Sequence, residues 1–388
     1  MKFGTTFAQV DEIWFWHQIV SPHMASLAVA IAKKGVVVRY FARCAISEER
    51  ASQGWKSPPM PGVDLVYLDS LDDIKRAIDE SSNRVIHVCE GIRGNGFVQR
   101  AENYLKSKRK EFWIIMETVD DSGFRGIVKR ACYRWLFWRY RAVVQGFFAI
   151  GRLTASWIES RGVSRARIFA ATYFLPEESL PPTSKERAET IFRFIFVGQL
   201  IRRKQIDILI DALASVAAFH PNFELRIIGA GPLEEVLRKR ASQLLGSRVF
   251  WVEQLSMSEV RREMRDSDCL VLPSLHDGWG VVVTEALMVG TPAICSDRCG
   301  AAEAVMASGV GGVFRSNDPT SLSKLLCRQI ELGRQKSSDR TALASWASSF
   351  GARVGAEYLL SVFSHRLADA PRPIAPWTSS RSLLQNDD

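Results

Sequence analysis

From Leu270 to Asp297 the chain reads Leu-Val-Leu-Pro-Ser-Leu-His-Asp-Gly-Trp-Gly-Val-Val-Val-Thr-Glu-Ala-Leu-Met-Val-Gly-Thr-Pro-Ala-Ile-Cys-Ser-Asp. Leu270 to Leu272 is a short apolar run suited to a buried strand, and Pro273 to Gly280 is a tight loop. Val281 to Met288 begins a helix, and Pro292 to Ser296 makes the next strand. Strand, loop, helix and strand in that succession form a parallel sheet, because parallel neighbours can be joined only by a crossover. The alternation continues on both sides. Val36 to Ala42, Asp64 to Leu68, Val85 to Cys89 and Phe112 to Glu117 are strand-like in the first half. Phe192 to Val197, Glu224 to Ile228, Val249 to Val252 and Ala293 to Cys295 are so in the second. The fold class is therefore α/β with two parallel sheets.

A Pro-rich polar stretch without apolar periodicity separates the halves. It sets a first domain over 1–172, a linker over 173–190 and a second domain over 191–345. An apolar, aromatic helix is expected over 346–367, packed either on its own domain or back on the first. Residues 368–388 turn Pro- and Ser-rich and read as a mobile tail. A core of useful size is available, since 47% of the 388 residues are hydrophobic. The seven cysteines are scattered, with no C-x-x-C pair and no Cys/His cluster at metal spacing, so a reducing, cytoplasmic compartment and no metal site are expected. No secretory signal and no run long enough to span a membrane is seen.

The net charge of +9 is uneven: residues 1–170 hold 26 Lys and Arg against 17 Asp and Glu, and the remainder is balanced. The first domain thus presents a positive field to a membrane, a nucleic acid or a phosphorylated acceptor. Within it, Arg125 to Arg141 mixes six cations with Trp135, Phe137 and Trp138. That pattern suits either a helix at an anionic membrane surface or a core helix with a charged outer face. No nucleic-acid motif accompanies the charge.

In the second domain, Asp277 and Glu285 flank Gly278, Trp279, Gly280 and Val281, where glycine amides lead into a helix N-terminus. Such a terminus at the carboxyl end of a strand favours an anion. Two carboxylates beside it are better suited to accept hydrogen bonds from sugar and ribose hydroxyls than to hold the anion itself. Gly198 ends a strand where a missing Cβ admits a ligand, and Arg202, Arg203 and Lys204 follow as counter-charges for a diphosphate. Gly229 and Gly231 end another strand, but Glu234 replaces the third glycine of a dinucleotide fingerprint.

Together these segments resemble the E-x7-E region and the accompanying motifs of retaining glycosyltransferases of family 4. That family has the GT-B fold, two Rossmann-like domains facing a central cleft, and uses nucleotide-sugar donors. The resemblance implies that Asp277 and the amides of Gly278 to Val281 contact the donor sugar, that Glu285 holds the ribose, and that Lys204 with Arg203 or Arg202 contacts the diphosphate. It further implies that Gly229 and Gly231 line the nucleotide pocket, with Gln254 and Leu255 beside the base. Three positions depart from the pattern: Asp277 stands where the family has Glu, Gln205 stands where a Gly follows the Lys, and Trp14 to His23 lacks the Gly-Gly pair of the N-terminal loop.

On the acceptor side Glu117, ending an apolar run, is the candidate for acceptor deprotonation or for holding a sugar hydroxyl, with His87, His17 and His23 as further candidates. The expected activity is transfer of a sugar (EC 2.4, hexosyltransferase type) from a UDP- or GDP-linked donor to a saccharide or lipid-linked acceptor, without metal or other cofactor. It would serve surface polysaccharide synthesis at the cytosolic face of a membrane, and nucleic acid is not expected as a partner. A catalytically silent sugar-nucleotide binder and a nicotinamide-dependent oxidoreductase are the alternatives.

Overall fold

The computed structural model describes residues 10–46, 57–92, 96–177, 191–252, 255–368 and 370–378. These fall into two compact units, one of residues up to 177 together with 350–376, the other of 191–349 with 377–378. Residues 178–190 of the expected linker and 379–388 of the expected tail lie outside the described residues.

In the first unit the elements follow as β1 (Glu12–Ile19), α1 (Pro22–Ala32), β2 (Val37–Cys44), β3 (Val63–Tyr67), α2 (Leu71–Glu80), β4 (Val85–Glu90), α3 (Phe97–Ser107), β5 (Phe112–Glu117), α4 (Gly123–Tyr140), β6 (Val144–Ile150), α5 (Arg152–Glu159) and β7 (Ile168–Ala171). The sheet order is β3-β2-β1-β4-β5-β6-β7, with every neighbouring pair parallel. The central strand β1 was not among the expected strands. Ile13 to Trp16 are all buried, which is the continuous apolar run required of a strand covered on both faces. Trp16 stacks on Phe41 of β2 with centroids 4.4 Å apart, and its indole N–H donates to Nδ1 of His87 on β4.

The second unit contains β8 (Phe192–Val197), α6 (Ile206–Ala217), β9 (Phe223–Ile228), α7 (Glu234–Leu245), β10 (Val249–Val252), α8 (Met257–Arg265), β11 (Cys269–Leu272), α9 (Val281–Met288), β12 (Ala293–Ser296), α10 (Ala302–Ser308), β13 (Gly312–Phe314), α11 (Pro319–Leu332) and α12 (Ser337–Ala347). Its parallel sheet runs β10-β9-β8-β11-β12-β13. Strand order reverses between β8 and β11, as it does between β1 and β4 in the first unit. At such a switch point two adjacent loops diverge and open a crevice at the strand ends, where α/β proteins bind ligands.

The expected helix over 346–367 is two helices. The break falls at Gly351, which pairs with Leu175; a Cβ there would meet Glu177 Oε1 at 2.3 Å. Beyond it α13 (Ala352–Ala368) belongs to the first unit. Phe363 packs edge-on to Trp113 and Phe148, and Tyr358 donates to the Ala170 carbonyl of β7. Residues 370–378, assigned by composition to the tail, are also held in place. Arg372 lies 4.4 Å over the Phe169 ring and donates to the Ala166 carbonyl, and Trp377 is buried.

Candidate functional site in the second unit

The site is assembled from four loops at the carboxyl ends of β9, β8, β11 and β12. Gly198 N donates to Ile228 O, and Leu200 N to Ala230 O, so the loops after β8 and β9 run backbone against backbone. The glycines permit this. A Cβ on Gly229 would lie 2.0 Å from Gly198 O, and one on Gly231 would lie 2.6 Å from Leu200 O. The Gly-Ala-Gly run thus allows loop apposition at the mouth of the site. The helix that follows starts with Glu234 and Glu235, which would repel the pyrophosphate of a bound dinucleotide.

Arg202 to Lys204 form a single 3₁₀ turn that docks on the loop after β11. Leu275 N donates to Arg203 O at 2.8 Å, and the Arg203 guanidinium donates to His276 O at 2.9 Å. Lys204 Nζ lies 2.5 Å from Asp277 Oδ2, Arg203 Nη1 lies 3.6 Å from the same oxygen, and Ser274 Oγ donates to it at 3.2 Å. All three contacts fall on Oδ2. The Lys204 and Asp277 side chains are only 12% and 14% exposed, so the pair is poorly screened by water. The loop after β12 clamps Asp277 from the other side: Asp277 N donates to Arg298 O, and Gly300 N donates to Asp277 O. The post-β11 loop is therefore a braced platform.

Gly280 caps α9 with φ +85, and among the described residues no side-chain cap hydrogen bond is made to its first turn. A Cβ at this position would sit 2.6 Å from Cys299 Sγ and 2.8 Å from a Leu272 methyl, so both the backbone conformation and the space require glycine. One turn into the helix, Glu285 is buried. Burial raises its carboxyl above the ordinary range, and the Arg261 guanidinium opposes that shift only in part. A buried acid in that state gains from hydroxyl donors able to reach it.

Gln205 occupies the left-handed region, with φ +49 and ψ +44. Its amide donates to the side chain of Asn317, itself at φ +61. Leu255 sits after the edge strand β10, beyond β9 from the switch point, and Gln254 lies outside the described residues.

In the first unit Glu117 ends β5. His87 is buried with Nδ1 accepting from Trp16 and Nε2 3.5 Å from Ser81 Oγ. Burial, followed by the nearby charge of Lys110, lowers its pKa to about 3, so it stays neutral and serves the core. His23 is buried in the first turn of α1, its ring against Tyr173. The switch point between β1 and β4 holds a different pair. Glu90, the last residue of β4, accepts from Gln18 N at 3.0 Å and lies 3.5 Å from Nδ1 of buried His17. Burial would raise the Glu90 carboxyl; the His17 contacts and the Gln18 amide outweigh it and hold the carboxyl below the usual range.

Residues 182–342 match the family model described as "Glycosyl transferases group 1". This segment belongs to the glycosyl transferases group 1. Among curated relatives of the group 1 domain is a GDP-mannose-dependent monoacylated alpha-(1-6)-phosphatidylinositol monomannoside mannosyltransferase of Corynebacterium glutamicum, 28% identical over 44% of this chain and 45% of the relative. Another is a putative colanic acid biosynthesis glycosyltransferase, WcaL, of Escherichia coli, 27% identical over 46% of this chain and 45% of the relative. The matched stretches thus span less than half the length of these relatives. Solved structures align over more of the chain. The lipopolysaccharide outer core galactosyltransferase WaaB has TM-score 0.69 at 16% identity, covering 92% of this chain and 99% of that one. Anabaena HepE in complex with UDP has TM-score 0.69 at 14% identity, covering 91% and 99%. At these identities the likeness concerns fold, and the fold is GT-B, with two Rossmann-like domains.

Within the group 1 domain, Gly198, Lys204, Arg203, Asp277, Gly278 and Gly280 are gathered at one switch point. The Trp279 indole is not presented there: it is fully buried, with its N–H donating to Thr284 Oγ1 at 3.3 Å, so only its backbone is available to a ligand. Glu90 escaped sequence reasoning because it looks like the polar end of an apolar strand. The available signal was its place as the last residue of the Val85 to Glu90 run, with His17 on a strand not expected there. Among the described residues no three His, Cys, Asp or Glu side chains gather to hold a metal ion.

Proposed function

We propose that the chain is a retaining glycosyltransferase, moving a sugar from a nucleoside diphosphate sugar to a hydroxyl of a saccharide or lipid-linked acceptor. It acts at the cytosolic face of a membrane, in the assembly of a surface polysaccharide or glycolipid. The observation that carries this reading is the pairing of Lys204 with Asp277 across the β8–β11 switch point, beside the uncapped start of α9 and one turn from buried Glu285. A cation and free amides serve a diphosphate, and two carboxylates serve hydroxyls on either side of it.

In this reading Lys204 and Arg203, with Arg202 at the exposed edge of the turn, take the diphosphate together with the amides of Gly280 and Val281. Glu285 accepts from the ribose hydroxyls. Because the existing contacts of Asp277 all use Oδ2, Oδ1 is left to accept from a hydroxyl of the donor sugar. Gly198, Gly229 and Gly231 let the nucleotide approach backbone, and Leu255 and Gln254 are the residues proposed to contact the base. As the bond from the anomeric carbon to the diphosphate breaks, negative charge grows on the leaving oxygen, where fixed cations and amides stabilise it more than they do the ground state. The acceptor oxygen bonds to the anomeric carbon on the face the diphosphate leaves, and the acceptor proton passes to the departing phosphate oxygen. Glu90 with His17, and Glu117, are the first-unit groups proposed to hold the acceptor. No metal or other cofactor enters this scheme. The relative named for GDP-mannose and the HepE structure holding UDP support a choice between GDP and UDP donors.

The test is incubation of the protein with panels of UDP- and GDP-linked sugars, reading nucleoside diphosphate release and the anomeric configuration of the product by proton NMR. Release with retained configuration is expected. Inversion would overturn the retaining assignment, and no binding of either nucleotide would overturn the donor site.

A further inference from the structure

We infer that the solvent-facing side of α4 docks on an anionic lipid bilayer. Helix α4 has two unlike faces. Tyr133, Leu136, Phe137 and Tyr140 are buried in the first unit's core, against Phe147 and Trp157 among others. On the opposite side Phe124, Ile127, Val128, Trp135 and Trp138 are 83%, 54%, 66%, 52% and 60% exposed. Their spacing is i, i+3, i+4, i+11, i+14, so at 3.6 residues per turn they form one stripe along the helix, with exposed Ala131 filling its middle. An outward stripe of two tryptophans, a phenylalanine and two β-branched residues is costly in water unless something covers it.

The charges beside it indicate what does. On the helical wheel Arg125, Lys129 and Arg139 fall on one flank of the stripe, and Arg130, Arg134 and Arg141 on the other. Residues 123–142 contain no acid, and among the described residues none of these six cations forms an ion pair with a carboxylate. Lys129 and Arg130 donate to the carbonyls of Asp120 and Asp121, and Arg139 and Arg141 lie over the rings of Trp135 and Trp138. An apolar centre between two cationic margins complements a bilayer interface: rings enter between acyl chains while guanidinium groups reach anionic headgroups. A nucleic acid would want the cations at the centre of the contact. A second copy would bring six like charges against six. No helix among the described residues is long and apolar enough to cross a membrane, so the contact is interfacial. It needs neither the donor nor the transfer reaction.

The experiment is flotation of the full chain with vesicles of phosphatidylcholine alone or mixed with phosphatidylglycerol, without nucleotide. Binding to the anionic vesicles is expected to exceed that to the neutral ones by about tenfold or more at low salt and to fall several-fold at high salt, as headgroup attraction is screened. Trp135→Glu/Trp138→Glu and, separately, Arg134→Glu/Arg141→Glu are each expected to lower binding about tenfold. Circular dichroism and nucleotide-induced thermal shift should be unchanged, because none of these side chains lies in the core or the donor site. Equal binding to neutral and anionic vesicles, wild-type binding by the tryptophan variant, or a wild-type dimer that this variant dissociates would each overturn the proposal.

Discussion

Replacing Lys204 with Met removes the cation that the proposed site offers a diphosphate while keeping most of the side-chain volume. Its Nζ lies 2.5 Å from Asp277 Oδ2 and both side chains are mostly covered, so the pair sits between the exposed limit, worth about 0–1 kcal/mol, and the buried limit of about 3–5. A stability loss of about 2 kcal/mol is expected, tempered because Arg203 and Ser274 remain near Oδ2. Loss of a charge-assisted hydrogen bond to phosphate, worth about 1.5–3 kcal/mol, should weaken nucleoside diphosphate binding roughly 10- to 100-fold. Asp277→Asn should behave differently. It removes a negative charge beside the phosphate and releases Lys204, so UDP or GDP alone should bind as tightly as to wild type or tighter, while the gain from an attached sugar is lost. Isothermal titration of the nucleotide and its sugar against the two variants separates these effects. If Lys204→Met leaves the nucleotide Kd unchanged, or Asp277→Asn weakens nucleotide and nucleotide sugar equally, the pair is a structural brace and the donor assignment fails.

Three further outcomes follow from the geometry. At the left-handed position 205, Gln205→Gly should be more stable than Gln205→Ala by about 1 kcal/mol in urea melts, although Ala lowers unfolded-state entropy; the reverse order would show that the backbone conformation is not the constraint. His87, neutral when folded with a pKa of about 3, binds a proton more readily when unfolded. Stability is therefore lost as pH falls below about 6.5, by about 2 kcal/mol at pH 5, and His87→Gln should flatten this part of the profile. Phe363→Ala removes the ring that packs on Trp113 and Phe148 and should cost about 3–5 kcal/mol in the unfolding transition of the first unit, leaving nucleotide binding in the second unit intact; a shift confined to the other transition would contradict the placement of α13.

Much of the second unit was readable from local pattern, because its strands are short apolar runs and its loops carry glycines whose need is steric. Gly280 is a case: its positive φ and the nearness of Cys299 exclude any side chain. The same pattern misplaced Trp279, since an aromatic in a loop looks available until tertiary packing buries it. In the first unit Trp14 to His17 resembled a ligand-loop segment, and only the two strands beside it show why so aromatic a run is central. Gln205 looked like a departure from a Gly position, and its left-handed backbone explains what that Gly would do. The His17–Glu90 pair joins positions 73 apart in numbering, a proximity set by sheet order and invisible to spacing. Composition likewise missed Arg372 and Trp377 as anchors within a Pro-rich stretch.

The most direct test of the donor site is a titration of UDP, GDP, ADP, NAD and the corresponding nucleotide sugars against wild type and Glu285→Ala. The arrangement around the β8–β11 switch point predicts that wild type selects UDP or GDP over NAD and that Glu285→Ala loses most of that affinity, with the folded baseline preserved. Equal binding by the two proteins, or a preference for NAD, would contradict it.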